Sequence, residues 1–586
     1  MPSLRLQELL RAARARAGFV REAKRGRVRV AGLTPAAKAF WIAGAASDDP
    51  RRQLVLAVVA SDRDVEQIVG DVRFFLGGLE GASAAELERT VLPFPSPEVD
   101  PYRGLAPHLR IASARARALH AAATGLARVV VASAAALLPR VSPPDAIVAL
   151  ALDLVPGGEI DTGRLADTLV DAGFTRRDPV DDHGEFCIRG GVVDVFPAGD
   201  DLPARIELVG DTIETIRRYA PETQRSVETI DRLQIVPLGD VAGGGWPRVP
   251  VFDYLAGPRR PVLFALEPEE IRARIEQHLA QIAASYAAAR EAARRAPAGF
   301  ARAQAPEEAA GRSGLPAPES ILVGWPDVER HLAGADVLEE LGLEAPASDA
   351  PGPHPHDADS AGGSPQAPGP RSPAPACSQP ALSFANRLPD WIAEVRAARA
   401  AGDTVVFAAA THGRAERLVE WLADYELRGA QIDRGDDAFA ASVLITVGAL
   451  SRGFRLPGAG FRIYAETDLF EEERRTRDRT TRGAARAFLS DLRDLKVGDL
   501  VVHVDNGIGE FVGLKEMTVA PNETLEFLEL RYAGDDKLFV PVARLDLVQK
   551  YLGGARPALD RLGGTTWEKA KTRVKKAMRD MAEELL

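Results

Sequence analysis

The sequence predicts a multidomain protein that combines α/β domains, an α+β domain and a small antiparallel β-barrel. Three observations support this fold class. Apolar strands alternate with helices on both sides of a segment rich in proline, glycine and serine, residues 345–380. A β-rich stretch from Leu154 to Pro237 interrupts the first of these α/β regions. Short β-rich runs separated by tight turns continue from Lys496 to Leu552. Alternating strands and helices indicate a parallel sheet, and closely spaced strands with turn signals indicate a barrel.

The composition is that of a globular protein with several domains. At 586 residues the chain exceeds one domain, and its 46% hydrophobic and 27% charged residues are ordinary values. The formal net charge of −11 argues against a protein that coats nucleic acid over its whole surface. The two cysteines, Cys187 and Cys377, are too few for a disulfide framework, and the sequence has no signal peptide or long apolar span. We therefore expect a cytoplasmic protein with no membrane segment.

The order of the α/β, β-rich and proline-rich segments along the chain predicts the domain boundaries. The apolar runs Leu54–Ala60, Arg128–Ser133 and Pro261–Glu267 are expected to be strands of one parallel sheet. The residues of the proline-rich segment cannot bury a core, so a disordered linker is expected there. The predicted boundaries are 1–150 and 241–344 for the two halves of the first α/β region, 151–240 for an inserted α+β domain, 345–380 for the linker, 381–475 for a small α/β domain, 476–495 for a charged linker, 496–555 for the barrel and 565–586 for the start of a helix.

Val30–Ala39, which reads VAGLTPAAKA, is a degenerate phosphate loop. Gly32 and Lys38 match the first glycine and the lysine of G-x-x-x-x-G-K-[ST], but Ala37 and Ala39 replace the second glycine and the hydroxyl residue. The glycine lets backbone amides close around the phosphates, and the hydroxyl binds Mg²⁺. We predict that this loop does not bind a nucleotide.

The rest of the chain gives no stronger sign of catalysis. No lysine occurs between Lys38 and Lys496, so no other phosphate-loop lysine exists in that interval. The strand that ends at Glu267 has the form of an acidic, metal-holding strand end but lacks the usual aspartate. The histidines are scattered, and a lone histidine is more often a structural residue than a ligand. We predict no catalytic residue, no metal site and no cofactor in this chain, which is therefore not itself an enzyme.

The last residues form the beginning of a helix. Thr565 and Glu568 make a capping box, and an apolar stripe at helical spacing follows. The sequence ends at Leu586 inside this pattern, with no glycine, asparagine or proline stop signal. We expect a longer protein, with a frayed C-terminus as the alternative.

Three segments carry a resemblance to a known family. They are Leu92–Val141, then Asp171–Ser226 with its motifs GEFCIRGGVVDVFPAG and RYAPETQRS, and then the barrel with DLVVHVDNGIGEFVG and DDKLFVPVARL. In this order, they resemble the bacterial transcription-repair-coupling factors, the Mfd family. Outside the linker, the resemblance covers nearly the whole chain.

The resemblance implies a layout. The two halves of the first α/β region look like the degenerate RecA-like region that the family shares with the repair protein UvrB, and the insertion looks like its UvrA-binding domain. The barrel resembles the RNA-polymerase-interacting domain, which is related to CarD and Tudor-like folds. Gly32–Lys38 and Glu267 then resemble relics of the nucleotide and metal motifs of UvrB. The tyrosine-rich hairpin with which UvrB probes damage has no counterpart within Leu92–Tyr102.

The resemblance also implies partners and contact residues. Arginine forks suit bidentate pairing with carboxylates of a partner. In the barrel, the pattern of Leu525–Tyr532 leaves open whether Leu528 faces a partner or fills the core. An edge strand here could add a strand of the partner. The implied UvrA contacts are Arg176, Arg189 and Phe196, and the implied contacts to the RNA polymerase β subunit are Leu528, Phe527 and Leu530.

The function implied is that of a transcription-coupled nucleotide excision repair factor. It would bind stalled RNA polymerase through the barrel and recruit UvrA through the insertion. The family's motor, which uses ATP and Mg²⁺ to translocate on double-stranded DNA and displace polymerase, is expected beyond the last helix. The alternative is a CarD-like transcription regulator fused to an inactive UvrB-like domain, without enzymatic activity.

Overall fold

A computed structural model describes most of the chain in two compact units, Met1–Glu471 and Glu472–Leu586. The predicted linker from 345 to 377, the charged linker 476–495 and the predicted helix 565–586 lie outside the described residues. The described residues are 6–19, 27–49, 53–103, 107–221, 223–240, 248–255, 261–295, 315–340, 378–384, 387–432, 441–470, 498, 500–503, 507–520, 523–534, 536–541, 548–550 and 559.

The first unit begins with alternating helices and short strands. Strands β2 and β4 are buried at every position, which explains why they appear in the sequence as continuous apolar runs. Helix α3 begins with a capping box of Ser61 and Asp64 and ends at Gly81, which adopts φ of 71°. The elements are α1 (Leu6–Ala17), β1 (Arg29–Val30), α2 (Pro35–Asp48), β2 (Val55–Val59), α3 (Asp62–Glu80), α4 (Ala84–Thr90), β3 (Val91–Phe94), α5 (Leu109–Ala123), β4 (Val129–Ser133) and α6 (Pro144–Ala149).

An α+β insertion follows, built on a six-stranded sheet. Its strand order is β11-β10-β9-β8-β7-β6, antiparallel except for the parallel pair of β6 and β7. Leu165 and Leu169 of its helix pack into the same apolar cluster as the sheet. Its elements are β5 (Leu152–Leu154), α7 (Thr162–Asp171), β6 (Thr175–Arg176), β7 (Glu185–Arg189), β8 (Val192–Val195), β9 (Ala204–Val209), β10 (Thr212–Tyr219), β11 (Ser226–Thr229) and β12 (Leu233–Ile235).

After the insertion the chain returns to the first sheet and completes it. The six strands are all parallel, in the order β1-β14-β13-β2-β4-β3, so strands from both halves of the first α/β region lie side by side. The two predicted halves therefore share one core. The returning elements are β13 (Val262–Leu266), α8 (Pro268–Arg295), α9 (Pro318–Ile321), α10 (Trp325–Leu332) and β14 (Asp336–Leu338).

The third domain, residues 378–470, has a mixed sheet of order β15-β19-β20-β16-β18-β17. Gln379–Pro380, at the end of the predicted linker, is a short strand of this sheet, because it pairs with Phe454 and Arg455. The elements are β15 (Gln379–Pro380), α11 (Leu388–Ala400), β16 (Thr404–Ala409), α12 (His412–Asp424), β17 (Gly429–Gln431), β18 (Val443–Val447), β19 (Phe454–Leu456), β20 (Phe461–Ala465) and α13 (Glu466–Leu469).

The third domain and the first sheet share a continuous apolar core. The rings of Phe40, Phe75 and Phe454 are fully buried, with centroids 4.7 to 6.0 Å apart. At the rim of this core, the buried carboxylate of Asp71 on α3 accepts hydrogen bonds from the amide and hydroxyl of Ser451, at 2.8 and 2.6 Å. We call this contact region, where α2 and α3 meet the third domain, the joint.

The second unit contains an antiparallel five-stranded sheet of order β24-β23-β22-β21-β25. Its small core consists of Val501, Phe511, Leu528, Leu530, Tyr532 and Val540. None of the helices that the structure describes in either unit is long and apolar enough to cross a bilayer. The strands are β21 (Leu500–His503), β22 (Gly507–Ala520), β23 (Glu523–Arg531), β24 (Lys537–Pro541) and β25 (Val548–Lys550).

Candidate docking surfaces and a relic phosphate loop

The sheet of the insertion has one apolar face and one charged face, because side chains alternate along each strand. The apolar face packs against α7. On the other face the strand register aligns Cys187, Asp194, Arg205 and Arg217 across β7, β8, β9 and β10. Arg189 extends this face at the end of β7. We call the side that carries Arg189, Asp194 and Arg205 the arginine face.

Asp194 organises the arginine face from beneath. Its carboxylate is 1% exposed and accepts one hydrogen bond from Arg189, at 2.9 Å, and two from Arg205, at 2.7 and 3.0 Å. These hydrogen bonds are the main reason that the pKa values of both guanidinium groups are raised. Arg205 also lies over the ring of Tyr219, 4.5 Å from its centroid. A buried carboxylate is stable here because two arginines satisfy it.

The structure brings two of the predicted UvrA contacts together at the surface. Arg176 on β6 is exposed, and its Nη2 donates to the carbonyl of Ile188, the residue before Arg189, at 3.3 Å. The Arg189 side chain is 49% exposed and also pairs with Asp178, at 3.2 Å. Both arginines are therefore available to a partner.

Phe196, the third predicted contact, is a correction. Its side chain is 4% exposed and packs with Val180 and Cys187 in a small cluster. The ring of His183 covers it, with centroids 4.0 Å apart. Val180 and His183 pack over Phe196, so in this structure Phe196 lies beneath the surface where an exposed contact residue was expected.

Sequence reasoning did not identify Asp178, Asp194 or Arg205 as parts of this site. The alternation of side chains along β8 and β9 could have identified two of them, Asp194 and Arg205. Arg189, Asp194 and Arg205 fall on the same face once the turns that join β7, β8 and β9 are fixed. Asp178 lies in a loop with no periodic pattern, so no comparable signal existed for it.

In the barrel, the structure favours the core position for Leu528. Leu528 is 2% exposed and Leu530 is fully buried, so two of the three expected polymerase contacts have their side chains in the core. The reason is the alternation of β23, in which Leu528 and Leu530 share one face and join the cluster of Phe511 and Val540. Phe527 lies on the opposite face and is partly exposed.

The outer face of the barrel sheet carries aromatic and charged side chains. Phe527 lies in register with Lys515 on β22, and Phe539 with Glu529 on β23. The Nζ of Lys515 lies 5.2 Å from the centroid of the Phe539 ring. Lys537 pairs with Glu529 at 2.6 Å. We call Phe527, Phe539 and Lys515 the outer patch.

The expectation that a partner strand adds to Leu525–Tyr532 also needs correction. Over Phe527–Arg531, β23 is hydrogen-bonded to β22 on one side and to β24 on the other. Its backbone groups there are already used. Among the described strands, β24 (Lys537–Pro541) and β25 (Val548–Lys550) are the two edges of the sheet, and β24 is the edge next to β23.

The relic phosphate loop lies at the start of α2, and the polar groups at its tip already have partners. Gly32 adopts φ of 77°, and Thr34 caps the helix. The amide of Thr34 donates to the hydroxyl of Ser378 at 2.8 Å, and the amide of Ser378 donates to the carbonyl of Gly32 at 2.8 Å. The amide of Leu33 donates to the carbonyl of Glu339. Groups that would approach phosphate in a working loop hold the third domain and β14 instead.

Lys38 is also engaged within the chain. Its side chain is buried and forms an ion pair with Glu267. A cleft of about 210 Å³ beside this pair is lined by one lysine and four carboxylate residues, Asp64, Glu267, Glu270 and Glu340. A polyphosphate in this cleft would meet repulsion from most of its charged lining. In the part of the chain that the structure describes, no group of three or more metal-ligating side chains comes together.

Comparison with known proteins places these features in a family. Residues 152–240 match the model described as the UvrB interaction domain, residues 399–469 the MFD D3 domain, and residues 495–552 the CarD-like/TRCF RID domain. The chain is 30% identical to the transcription-repair-coupling factor of Myxococcus xanthus, over 96% of this chain and 48% of that protein. The corresponding factors of Bacillus subtilis and Escherichia coli are 26% and 27% identical, over 85% and 83% of this chain and 44% and 43% of theirs.

The matched models describe a multidomain protein that joins a UvrB interaction domain to a CarD-like domain. The chain belongs to the transcription-repair-coupling factor family, Mfd. It spans about half the length of the relatives that it matches.

Proposed function

We propose that the chain couples transcription to nucleotide excision repair by binding RNA polymerase through the barrel and UvrA through the insertion. The observation that carries the proposal is the presence of both modules in one chain, a UvrB interaction domain and a CarD-like/TRCF RID domain. Each module offers a surface suited to docking. Both partners are cytoplasmic, and the proposed place of action is therefore the cytoplasm.

The arginine face supports the UvrA part of the proposal. Arg176 and Arg189 present guanidinium groups at the surface, and buried Asp194 holds the second of them in one orientation. Planar guanidinium groups recognise carboxylates with two parallel hydrogen bonds, and arginine is enriched at binding hot spots. Acidic side chains of UvrA are the groups that this surface would bind.

The barrel supports the polymerase part. The open edge of β24 can take up a strand of the partner, and the nearby outer patch can give side-chain specificity. The β subunit of RNA polymerase is the partner we propose. Leu528 and Leu530 would then act by shaping the barrel, and Phe527 by direct contact.

The relatives are about twice as long as this chain, and the proposed motor belongs to the remainder. ATP, Mg²⁺ and double-stranded DNA are proposed as ligands of that motor. The internal partners of Lys38 and Thr34 support the proposal that this chain does not itself turn over ATP.

A pull-down of the full chain with purified UvrA and, separately, with RNA polymerase tests the proposal. We expect both to be retained, and Arg176→Glu to lower UvrA retention without changing polymerase retention. Polymerase binding without UvrA binding would instead favour the CarD-like regulator. Retention of neither protein would refute both functions.

A further inference from the structure

Arg189 pairs with two carboxylates of its own domain that differ in burial. On one side Nη2 donates to Asp194, which is 1% exposed. On the other side Nη1 lies 3.2 Å from Asp178, and these two side chains are 49% and 55% exposed. The guanidinium therefore has one fixed internal partner and one partner in contact with solvent.

The internal partner fixes the orientation of the Arg189 fork. Asp194 is held in place by two hydrogen bonds from Arg205, which itself donates to the carbonyl and side-chain oxygens of Gln224. Because the guanidinium is planar, its bond to an immobile carboxylate restricts the direction of its remaining N–H groups. Arg189 thus presents a prepared carboxylate-binding group at the surface.

The surface partner is exchangeable. Ion pairs between solvent-exposed side chains contribute little, because water screens them and ordering the side chains costs entropy. Another carboxylate that brings further contacts can therefore displace Asp178. An incoming acid would otherwise also face repulsion from Asp178 at close range.

We propose that Asp178 is an internal competitor, whose carboxylate occupies on Arg189 the position that an acidic side chain of the docking partner takes in the complex. This proposal rests on the proposed function, since it assigns UvrA as that partner. It also makes the resting affinity of the insertion lower than its arginine face alone would give, so the removal of Asp178 strengthens docking.

The direct test is the affinity of the full chain for purified UvrA. Asp178→Asn keeps the size of the side chain and removes its charge, and we expect it to tighten binding about two- to five-fold. The matched control is Asp167→Asn, which makes the same charge change at an exposed position of α7, the helix that packs on the opposite face. We expect less than about 1.5-fold change from the control.

A double-variant cycle decides whether the effect passes through Arg189. In an Arg189→Gln background, Asp178→Asn should no longer tighten binding, because the pair that it relieves is gone. If the gain persists in that background, or Asp167→Asn gives an equal gain, the competitor role is wrong and the effect is one of net charge.

If wild type binds UvrA but Asp178→Asn binds equally or more weakly, the competitor role is also wrong while the proposed function stands. If wild type does not bind UvrA at all, the proposed function itself fails, and this inference with it.

Discussion

Asp71 is a buried carboxylate that interacts mainly with neutral groups. It is 1% exposed, and Ser451 donates to it through both its amide and its hydroxyl. Gln67 donates to the same hydroxyl at 3.3 Å. Burial raises the pKa of Asp71 to about 7, because an ionised carboxylate loses the solvation of water. The hydrogen bonds from Ser451 oppose this rise and do not cancel it.

The raised pKa predicts that the joint weakens as pH rises. An aspartate whose pKa is higher in the folded than in the unfolded state makes the protein less stable as pH rises. The free energy of unfolding falls as pH passes the pKa of the folded state, here about 7. Between pH 6 and pH 8 we expect this group to lower the free energy of unfolding by about 1.3 kcal/mol. Chemical denaturation of wild type and Asp71→Asn at both pH values measures it.

The quantity to compare is the change in the free energy of unfolding between the two pH values, in wild type and in Asp71→Asn. Other titrating groups contribute equally to both proteins, so the difference between the two changes belongs to Asp71. Asparagine is uncharged at either pH and can still accept from the Ser451 amide. The stability of Asp71→Asn should therefore change less than that of wild type over this range. An identical change in both proteins would show that Asp71 does not titrate as described.

Single residues were predictable from the sequence where one property sufficed. Arg176 and Arg189 lie at the surface, as a contact residue must, and their role as contacts stays a prediction. Phe196 and Leu528 could not be assigned from the sequence, because an apolar residue in a short strand fits a core or an interface equally well, and the structure buries both side chains. Only the packing of His183 on Phe196, and of β23 on the barrel core, separates these cases.

At the scale of elements, β23 shows how one strand combines two tasks. Its core-facing residues Leu528 and Leu530 join the barrel cluster, while Phe527 on the other face contributes to the outer patch. Since β23 is paired on both sides, its backbone is structural, and the adjacent strand β24 is one of the two edges among the described strands. The two faces of one strand should therefore respond differently to substitution.

Two substitutions on β23 separate these tasks. Leu528→Arg places a charge in the barrel core, and we expect it to unfold the barrel, at a cost of several kcal/mol, on the order of 3 or more. Phe527→Ala should leave the barrel folded and weaken polymerase binding. Barrel folding is followed by circular dichroism and polymerase retention by pull-down. A folded Leu528→Arg variant that no longer binds polymerase would instead make Leu528 a contact residue.

Most elements were predictable because their apolar periodicity is strong. The strands predicted within Leu54–Ala60, Arg128–Ser133 and Pro261–Glu267 are present as β2, β4 and β13, with ends within one residue of the predicted ones. Strand pairing was less predictable, since the sequence does not show which strands are neighbours. The interleaving of β13 and β14 with β1 and β2, and the two-sided pairing of β23, arise from contacts distant in sequence.

At the scale of the molecule, the degenerate phosphate loop of the first unit lies beside the joint and hydrogen-bonds to the third domain. Thr34 and Gly32 bond to Ser378, and the nearby face of α2 and α3 meets Phe454 and Ser451 of the third domain. The predicted boundary at the linker suggested separate domains. The shared core could not be foreseen from sequence, because α3 and the third-domain residues that it contacts are far apart in the chain, 380 residues for Asp71 and Ser451.

Gly448 offers a direct test of the joint. A Cβ added at Gly448 would lie 2.6 Å from a ring carbon of Phe74 on α3, whereas one added at Gly458 meets nothing within 4 Å. Gly448→Ala should therefore weaken the joint by roughly 1–3 kcal/mol through overpacking, and the third domain should melt at lower temperature. Gly458→Ala is the matched control and should melt like wild type. Equal melting of both variants would show that the joint yields without cost.

A bridging pull-down tests whether one chain holds UvrA and RNA polymerase at the same time. RNA polymerase is immobilised, UvrA is added with or without the chain, and retained UvrA is measured. We expect retention of UvrA only when the chain is present, and its loss when the chain carries Arg176→Glu. If each partner binds the chain alone but UvrA is never retained through it on polymerase, the coupling function is contradicted.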